Sequence, residues 1–500
     1  MSLLASFDDA LAAPSSSSHT TRRKQALVGG LFSHAESSSP SIDWDRVTLT
    51  DLTSHSHGLC SSVYRRALTS SAKWPYNHTL SDAGGSSSSF PPTLSQAVEQ
   101  ADGLAGWICI KRVQADEQPR PHSISREVAL LDQLLHRNVA PLLAAIYDTS
   151  DPFGAVVDLV MPLYAATLEE ALLEPSLASS PEVNTGELSR PGKSISHLWS
   201  TSQQDFVHSV SKQLLAGIVY LHDNNVAHRD VKPSNILLSH TGVVKIIDLG
   251  TAYTTAVLKD PLASDESSSA RRKDEEEWNG GKMVCQVGTG QFRAPELLFS
   301  PVGGYDAFAV DIWAVGVTLA HFFTPLTAVL PADSLGQQQD ERKDWQKAFD
   351  SNTPLSPSSN ASTSSLYWEE DPLPSDPDSD SGTASGYIRT PFFHDTGDIG
   401  LAASIFSLLG LPASIQDWPE AEHFQPPLER LPFAPSQGKG LLSALTLVNH
   451  PERSPQEKQG LEGLSSLVHN VILPALNLSA SKRPKARSLL AAIQSSPVST

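Results

Sequence analysis

The sequence predicts an α+β protein in which a small β-rich lobe is followed by a larger, mostly helical lobe. Three strand-like runs lie before residue 165: RVTLTDL at 46–52, SSVYRRAL at 61–68 and GWICIKRV at 106–113. Helical patterns dominate after that point, and the mostly apolar run at 305–323 predicts a helix buried on every side. Strands before helices in this order indicate the α+β class.

Two amphipathic helices are also predicted from apolar residues that recur every three or four positions. ISREVALLDQLLHR at 124–137 places Ile124, Val128 and Leu131 on one stripe. QDFVHSVSKQLLAGIVYLHDNN at 204–225 repeats apolar residues in the same way. We expect one apolar face of each helix to pack against the core.

The composition indicates a folded core with long additions. Of the 500 residues, 39% are hydrophobic and 18% are charged, which is enough for one large or two ordinary domains. Residues 1–41 are rich in Ser, Ala and Pro and are predicted to be a disordered tail, and 495–500 a C-terminal tail. Long insertions cost a domain little closure entropy. The predicted insertions are 69–104, 174–200, 256–281 and 333–386.

Charge and cysteine content limit the partners and the compartment. The net charge of -19 argues against direct nucleic-acid binding and against binding to anionic membranes, since both need clustered Lys and Arg. Three cysteines predict free thiols in a reducing compartment. No apolar run is long enough to span a bilayer. We therefore expect an intracellular protein, in the nucleus or the cytoplasm.

The most specific pattern is VAHRDVKPSNILL at 226–238, followed by VVKIIDLG at 243–250. The two runs resemble the protein kinase catalytic loop and the Asp-Phe-Gly segment, with Leu249 in place of the Phe. Residue types, spacing and strand context all match, so a chance match is not a serious alternative. The resemblance implies a two-lobed protein kinase fold, with the N-lobe at 42–163 and the C-lobe at 164–494.

This resemblance assigns roles in phosphoryl transfer, where a protein mainly aligns the reactants and neutralises charge. Asp230 is expected to accept or orient the proton of the substrate hydroxyl, and Lys232 to lie beside the transferred phosphate. Asn235 and Asp248 supply the oxygen ligands that Mg²⁺ requires. ATP and Mg²⁺ are thus the implied cofactors.

The expected phosphate-binding lysine is Lys111, and Glu127 on the following helix matches its ion-pair partner. Lys111 alone would more often be a solvated lysine on a strand. Because Glu127 and Asp230 follow in the expected order, the functional interpretation is favoured. The resemblance also implies nucleotide contacts from Met161, Leu163 and Tyr164.

The glycine-rich loop is the weakest match. SHGLCSSV aligns with G-x-G-x-x-G-x-V through Gly58 and Val63, and Ser56 and Ser61 stand at two glycine positions. Serine is small, but it allows the backbone to approach the phosphates less freely than glycine does. We expect modest ATP affinity, and a non-catalytic kinase fold stays open as an alternative.

The motif GTGQFRAPE is predicted to close an activation segment. Thr289 is expected to hydrogen-bond the side chains of Asp230 and Lys232. Glu296 is expected to pair with a buried arginine, for which Arg483 is the match. This corner would hold the substrate site in place.

From about Ile42 to Ile493 the chain resembles the cyclin-dependent kinase branch. Arg293 before Ala-Pro-Glu is typical of that group, and the run at 398–422 is similar to its insert. The helix opening PHSISRE matches the family's Pro-Ser-Thr-Ala-Ile-Arg-Glu at Pro121, Arg126 and Glu127. The resemblance therefore implies a serine/threonine kinase of this branch.

Three regulatory positions depart from that branch. Ser125 replaces the isoleucine that docks a cyclin, Leu59-Cys60 replaces the inhibitory Thr-Tyr pair, and Val284 replaces the activating threonine. The combination resembles fungal CDK-activating kinases, which act without T-loop phosphorylation. Arg229 would normally help to hold the activating phosphate. The acidic run Asp274–Glu277 could supply a permanent negative partner, although such a run is more often a solvated face.

Three functional hypotheses remain. The first is a serine/threonine kinase whose protein substrate is the activation segment of a cyclin-dependent kinase. The second is a kinase that needs a cyclin-like subunit and acts in the cell cycle or in transcription. The third is a pseudokinase scaffold, motivated by Ser56 and Ser61 and disfavoured because all five catalytic positions retain their residues.

Overall fold

The computed structural model describes residues 25–28, 52–58, 61–68, 94–148, 155–174, 202–256, 283–329, 386–445 and 464–495. Within these ranges the chain forms two compact units. Unit 1 contains the described parts of Met1–Ala165, Ala216–Asp230 and Leu237–Val287, and unit 2 those of Ala166–Leu215, Val231–Ile236 and Gly288–Thr500. Unit 1 includes residues beyond the predicted lobe boundary at 163/164, and the lobe boundaries stay predictions.

Unit 1 is built on a six-stranded sheet. Its strands are β1 (Gln25–Val28), β2 (Thr53–Gly58), β3 (Ser61–Ala67), β4 (Trp107–Gln114), β5 (Ala144–Asp148) and β6 (Val156–Pro162). Their order across the sheet is β1-β5-β6-β4-β3-β2, and every neighbouring pair is antiparallel. The strands predicted at 61–68 and 106–113 are present, whereas residues 46–51 lie outside the described ranges and the described strand begins at Thr53.

The central strand β4 alternates between a buried face and a half-buried face. Ile108 and Ile110 are fully buried and belong to the core cluster of the sheet, whereas Cys109 and Lys111 between and after them are half-buried. Successive side chains of a strand point to opposite faces. Lys111 is therefore directed away from this core, toward the face where the candidate site lies.

One helix falls inside the predicted insertion at 69–104. Leu94–Gln100 forms α1, and its residues Ala97 and Val98 are fully buried in the same core cluster as Ile108 and Ile110. The Ser- and Gly-rich residues before α1 lie outside the described ranges. The helix has seven residues, which is too short for a helical periodicity to be recognised beside that low-complexity run. A helix of this length is not stable in isolation and depends on tertiary packing.

Four residues inside the predicted tail at 1–41 form a strand. Gln25–Val28 pairs antiparallel with β5, in the register from Gln25↔Tyr147 to Val28↔Ala144. This pairing satisfies the main-chain groups along the edge of β5, which would otherwise be an open edge of the sheet. A short strand that depends on a distant partner is not indicated by local composition.

The next helix, α2 (Ile124–Gln133), ends four residues before its predicted end at 137. Leu135 N donates a hydrogen bond to Tyr220 Oη at 2.8 Å. The His136 ring stacks on the Tyr220 ring with 4.6 Å between the centroids. Because Leu135 and His136 contact Tyr220, the helix ends at Gln133, before the amphipathic pattern of the sequence ends.

The remaining elements follow in chain order. The strands are β7 (Ala166–Thr167), β8 (Val226–Ala227), β9 (Ile236–Leu238), β10 (Val244–Ile246), β11 (Tyr253–Thr254), β12 (Leu326–Val329), β13 (Gly386–Arg389), β14 (Gly410–Leu411) and β15 (Ser436–Gln437). The helices are α3 (Leu168–Leu172), α4 (Gln203–Asp223), α5 (Pro295–Leu298), α6 (Ala307–Ala320), α7 (Gly397–Leu409), α8 (Leu473–Ala475) and α9 (Ala486–Gln494). A π-helical turn, Val468–Ile472, leads directly into α8.

Unit 2 is organised around α6, the helix predicted to be buried on every side. Nearly all of its side chains are buried, and Asp306 caps its first turn by accepting hydrogen bonds from Phe308 N and Ala309 N at 2.9 and 3.1 Å. The Trp313 ring stacks on Phe393 with 5.6 Å between the centroids. A helix that is apolar on every side has to be covered by other elements all around it, so α6 forms the core of unit 2.

Cys109 and Cys285 are free thiols, and Cys60 lies outside the described ranges. Among the described helices, none combines the length and the apolar character that crossing a membrane requires.

Candidate active site

Lys111 lies between two carboxylates in unit 1. Its Nζ atom is 3.0 Å from Glu127 Oε1, 3.0 Å from Glu127 Oε2 and 3.0 Å from Asp248 Oδ1. Glu127 is 2% exposed at its side chain, Lys111 16% and Asp248 30%. An ammonium group has three N–H donors, so these three contacts use its full capacity.

The charges of this cluster support one another. Burial would lower the pKa of Lys111, but the charges of Asp248 and Glu127 outweigh it and raise the pKa above its usual value. Burial would raise the pKa of Asp248, but Lys111 outweighs it and holds that pKa well below its usual range. Burial raises the pKa of Glu127, and the charge of Lys111 opposes this. Lys111 is thus a cation and Asp248 an anion at neutral pH.

The helix that carries Glu127 is tied to the segment after Asp248. Ser123 caps α2, because its Oγ accepts a hydrogen bond from Arg126 N at 3.3 Å. Ser123 N donates to Gly250 O at 2.9 Å, and Arg126 Nη1 donates to Ala252 O at 3.1 Å. The start of the helix that carries Glu127 is therefore held in place by these bonds, in addition to the bonds between Glu127 and Lys111.

The His-Arg-Asp motif begins at the end of β8, in the same unit. His228 Nε2 lies 2.8 Å from Ile247 O, and Asp230 N donates to His228 Nδ1 at 3.2 Å. Arg229 is 1% exposed, and its Nε donates to Thr251 O at 2.8 Å. Asp230 is 6% exposed. These bonds fix the backbone of the loop from which Asp230 projects.

Unit 2 contains the second part of the loop. Lys232 Nζ donates to Thr289 Oγ1 at 2.6 Å, which is one of the two contacts predicted for Thr289. Asn235 N donates to Lys232 O at 3.0 Å within the short helical turn Pro233–Asn235, and Asn235 is 7% exposed. Asp230 and Asp248 belong to unit 1, and the predicted contact of Thr289 with Asp230 stays a prediction.

The other predicted nucleotide contacts also lie in unit 1. Val63 faces Lys111 across β3 and β4, and Ser56 is the register partner of Val63 on β2. Gly58 ends β2, and Leu59 and Cys60 lie outside the described ranges. Met161 on β6 is the register partner of a cysteine on β4. The β2–β3 ribbon predicted as the glycine-rich loop is therefore next to the strand of Lys111.

The turn between α1 and β4 holds the end of β6, an interaction that the sequence does not indicate. Leu104 N donates to Leu163 O at 2.8 Å, and Tyr164 Oη donates to Ala101 O at 3.2 Å. Lys245 Nζ donates to Asp102 Oδ2 at 3.0 Å and lies 5.8 Å from the centroid of the Tyr164 ring. Asp102 adopts a positive φ of 60° in this turn, a conformation that Asp and Asn tolerate.

The predicted pair Glu296 and Arg483 is present in unit 2. Arg483 Nη1 and Nη2 each donate to a Glu296 carboxylate oxygen at 2.7 Å, and the two side chains are 2% or less exposed. Arg483 also donates to Ala309 O and covers the Trp313 ring at 5.1 Å from the centroid. Arg293 pairs with Asp398 at the start of α7. The activation-segment end is thus fixed by two charged pairs.

The regulatory positions are only partly described. Ser125 is half-buried on α2, and Val284 is half-buried in the activation segment. The acidic run Asp274–Glu277 lies outside the described ranges, so its predicted role beside Arg229 stays a prediction.

A family model for the protein kinase domain matches residues 94–367, which is more than half of the chain. The chain belongs to the protein kinase family. The predicted α+β kinase fold class is confirmed by this match together with the β-rich and helical elements described above. The matched range begins at α1, so β2 and β3, where Ser56 and Ser61 replace glycines, precede it.

Curated relatives of this kinase chain are serine/threonine kinases. A "Probable serine/threonine-protein kinase MRK1 homolog" of Encephalitozoon cuniculi is 29% identical over 228 residues, covering 46% of this chain and 55% of that protein. A probable cell division protein kinase of the same organism is 28% identical over 232 residues, covering 46% and 66%. Serine/threonine-protein kinase SSN3 of Coccidioides immitis is 30% identical over 235 residues, covering 45% and 40%.

These relatives confirm the predicted branch of cyclin-dependent-kinase-like serine/threonine kinases. The chain spans between two-fifths and two-thirds of the length of the three relatives. The similarity to these proteins identifies the branch of kinases, and it does not identify the substrate of this chain.

Proposed function

We propose that the chain is an ATP-dependent serine/threonine protein kinase that phosphorylates the activation-segment threonine of cyclin-dependent kinases. One observation carries the proposal. Lys111 is bonded to both Glu127 and Asp248 in a chain whose activation segment has Val284 in place of a threonine. The lysine–glutamate pair and the aspartate are the groups that must be in place for phosphoryl transfer, and in this chain they are bonded to one another.

The residues fit the cofactors that kinase activity requires. Lys111 is a partly exposed cation and can bind phosphate oxygens. Asp248 is ionised, and among the described contacts its Oδ2 atom has no partner, so it is suited to a hard divalent cation. Asp248 would hold Mg²⁺, which neutralises phosphate charge when bound. Asn235, in unit 2, stays the second ligand expected from the sequence.

The chain's own side chains supply the remaining functions. Asp230 would orient the substrate hydroxyl and accept its proton. Lys232, anchored by Thr289 at 2.6 Å, would place a positive charge beside the phosphate in transfer. Because phosphoryl transfer depends on alignment, the hydrogen bonds from the His228 and Arg229 side chains to the carbonyls of Ile247 and Thr251 contribute by fixing the position of Asp230.

A cyclin-dependent kinase substrate is favoured by what the activation segment contains. Ala270–Gly288 has no Ser, Thr or Tyr, so this kinase has no hydroxyl there to be phosphorylated in turn. An enzyme that starts a phosphorylation sequence has to be active before any upstream kinase acts. That requirement, together with the resemblance to fungal CDK-activating kinases, supports this substrate.

The test uses the full chain made in bacteria, where no cyclin and no upstream kinase is present. With ATP and Mg²⁺ it should phosphorylate a cyclin-dependent kinase on its activation threonine, and phosphatase treatment of the enzyme should leave the rate unchanged. The matched controls are Asp230→Asn in the enzyme and Thr→Ala at the acceptor of the substrate. Transfer to other sites only, with the acceptor threonine untouched, would contradict the proposed substrate.

A cyclin-partnered kinase is the second candidate, because α2 and the residues before it retain Pro121, Arg126 and Glu127 of the cyclin-docking helix and one relative is a probable cell division protein kinase. Ser125 removes apolar area from the expected docking surface. The same assay separates the two candidates. A chain that is inert alone and becomes active when a cyclin is added would support the second.

A further inference from the structure

The segment after the Asp-Leu-Gly motif is tied to the catalytic loop by several contacts. β11 pairs antiparallel with β8, in a register that places Tyr253 opposite Ala227. Arg229 Nε donates to Thr251 O at 2.8 Å, and Thr251 Oγ1 donates to His228 O at 3.3 Å. The main chain of residues 226–229 and that of residues 251–254 are therefore held together.

The guanidinium group of Arg229 is buried beside an aromatic ring. Arg229 is 1% exposed, and its Cζ atom lies 5.5 Å from the centroid of the Tyr253 ring. A buried cation is costly unless hydrogen bonds, an opposite charge or a ring face stabilise it. A cation–π contact is strongest where water is excluded. The Tyr253 ring is thus one of the groups that hold this guanidinium.

Arg229 is coupled to the reacting part of the loop through its backbone. It has a left-handed conformation with φ of 64°, which non-glycine residues rarely adopt. Asp230 follows directly, and Asp230 N is bonded to His228 Nδ1 at 3.2 Å. A displaced Arg229 side chain would release this uncommon backbone conformation and move Asp230 with it.

The same segment also holds α2. Arg126 is 6% exposed, and its Nη1 donates to Ala252 O at 3.1 Å. Arg126 and Arg229 thus bond the carbonyls of two successive residues, Ala252 and Thr251. Tyr253 comes directly after them.

We propose that Tyr253 is a positioning residue that fixes Arg229, and through it Asp230, without an activating phosphate. The inference rests on the proposed kinase activity. Arg229 is the residue expected to hold such a phosphate in kinases that use one, and the segment Ala270–Gly288 has no hydroxyl to carry it. A ring that is part of the folded chain performs this task permanently, so the catalytic loop is set as soon as the protein folds.

The experiment compares Tyr253→Leu, which removes the ring face, with Tyr253→Phe, which keeps it. The full chain is assayed for kcat, for KM of ATP and for amide hydrogen exchange at residues 250–254. Tyr253→Leu should lower kcat about tenfold with KM of ATP within about twofold, because Lys111 and its partners are untouched. Tyr253→Phe keeps the ring face, so its kcat should stay within about twofold of the wild-type value.

The chain offers a matched control. Arg112 Cζ lies 5.5 Å from the Tyr64 ring centroid on the sheet, but its side chain is 27% exposed and paired with Asp158. Tyr64→Leu removes the same type of contact away from the catalytic loop and should leave kcat within about twofold. An equal loss of kcat in Tyr64→Leu, or a Tyr253→Phe variant as slow as Tyr253→Leu, would overturn the inference.

Failure of the proposed function has a different signature. If the wild type transfers no phosphate, kinase activity itself is refuted, and the hydrogen-exchange measurement still decides the inference. Amides at 250–254 should then exchange about tenfold faster in Tyr253→Leu than in the wild type, and unchanged exchange would overturn the inference. Should Tyr253→Leu not fold, Tyr253→Met fills the space with a flexible apolar side chain and takes its place with the same expected results.

Discussion

Replacing Lys111 with methionine should destabilise the fold as well as stop the chemistry. Lys111 lies 3.0 Å from both Glu127, which is 2% exposed, and Asp248, which is 30% exposed. Removing one partner of a buried ion pair costs about 3–5 kcal/mol, because the other charge stays buried without compensation. Asp248 can turn to water and Glu127 can take up a proton, so we expect about 3 kcal/mol, the lower end of that range.

The second variant, Glu127→Gln, should cost less. It leaves Lys111 paired with Asp248, so we expect a loss of about 1–2 kcal/mol in the free energy of unfolding. The double variant Lys111→Met with Glu127→Gln has no buried charge left at these two positions. It should therefore be at least as stable as Lys111→Met alone, which amounts to a favourable coupling of at least about 1–2 kcal/mol in the double-mutant cycle.

Urea denaturation followed by tryptophan fluorescence measures each corner of this cycle without depending on activity. Lower pH should narrow the gap between Lys111→Met and the wild type. The reason is that burial raises the pKa of Glu127, and loss of Lys111 removes the charge that opposes this, so the carboxyl is neutralised more readily as the pH falls. Strictly additive losses at neutral pH would refute the geometry, since they would mean that Lys111 and Glu127 do not interact.

Three further predictions follow from other contacts. Asp230→Asn and Asp248→Asn should each abolish phosphoryl transfer while leaving the melting temperature within a few degrees, and near wild-type turnover in either would refute the site. Glu296→Gln should destabilise the chain by about 3 kcal/mol in urea denaturation because it leaves Arg483, which is 0% exposed at its side chain, without its carboxylate, and a loss below about 1 kcal/mol would contradict this. Burial lowers the pKa of His321 to about 4, so between pH 6.5 and 4 the folded state binds fewer protons than the unfolded state. The free energy of unfolding should therefore fall over this pH range, by up to about 3 kcal/mol more in the wild type than in His321→Gln. Parallel pH profiles of the two proteins would argue against this.

The catalytic groups could be predicted from sequence because their motifs fix local structure. The His-Arg-Asp loop and the Asp-Leu-Gly turn each follow a short strand, and the sequence distance between them leaves room only for a hairpin. Lys111 and Glu127 were predicted to pair because they match the lysine and the glutamate of the kinase family, and the structure shows how the two elements bring them together. The alternation of β4 directs Lys111 away from the core, and α2 is the first α-helix that follows it. The observed 3.0 Å contact is the expected one.

The contacts that the sequence does not indicate depend on distant partners. β1 forms only because β5 has an open edge, and nothing in QALV distinguishes it from the surrounding tail. α1 is recognisable only from the burial of Ala97 and Val98 in the core of the sheet. The contact of Arg229 with the Tyr253 ring depends on the pairing of two short strands, which has to be known first. In each case tertiary structure decides a feature for which local propensity is weak.

The hydrogen bonds of Lys111 lead to a last prediction, which concerns nucleotide affinity in the absence of metal. All three of its donors are used by Glu127 and Asp248, so a phosphate must replace one of these acceptors in order to bind. Asp248 is the acceptor to be replaced, since it makes one bond and is 30% exposed, whereas Glu127 makes two and is 2% exposed.

Asp248 therefore opposes metal-free ATP in two ways, by competing for Lys111 and by repelling the triphosphate. Asp248→Asn weakens the competition and removes the repulsion, so it should bind ATP in EDTA about fivefold more tightly than the wild type, as measured by calorimetry. Glu127→Gln is the control and should not bind more tightly, because Asp248 keeps its charge. Weaker binding of ATP by Asp248→Asn in EDTA would show that Asp248 does not compete for Lys111. With Mg²⁺ present the order should reverse, since the carboxylate that opposes the free nucleotide is the one suited to hold the metal.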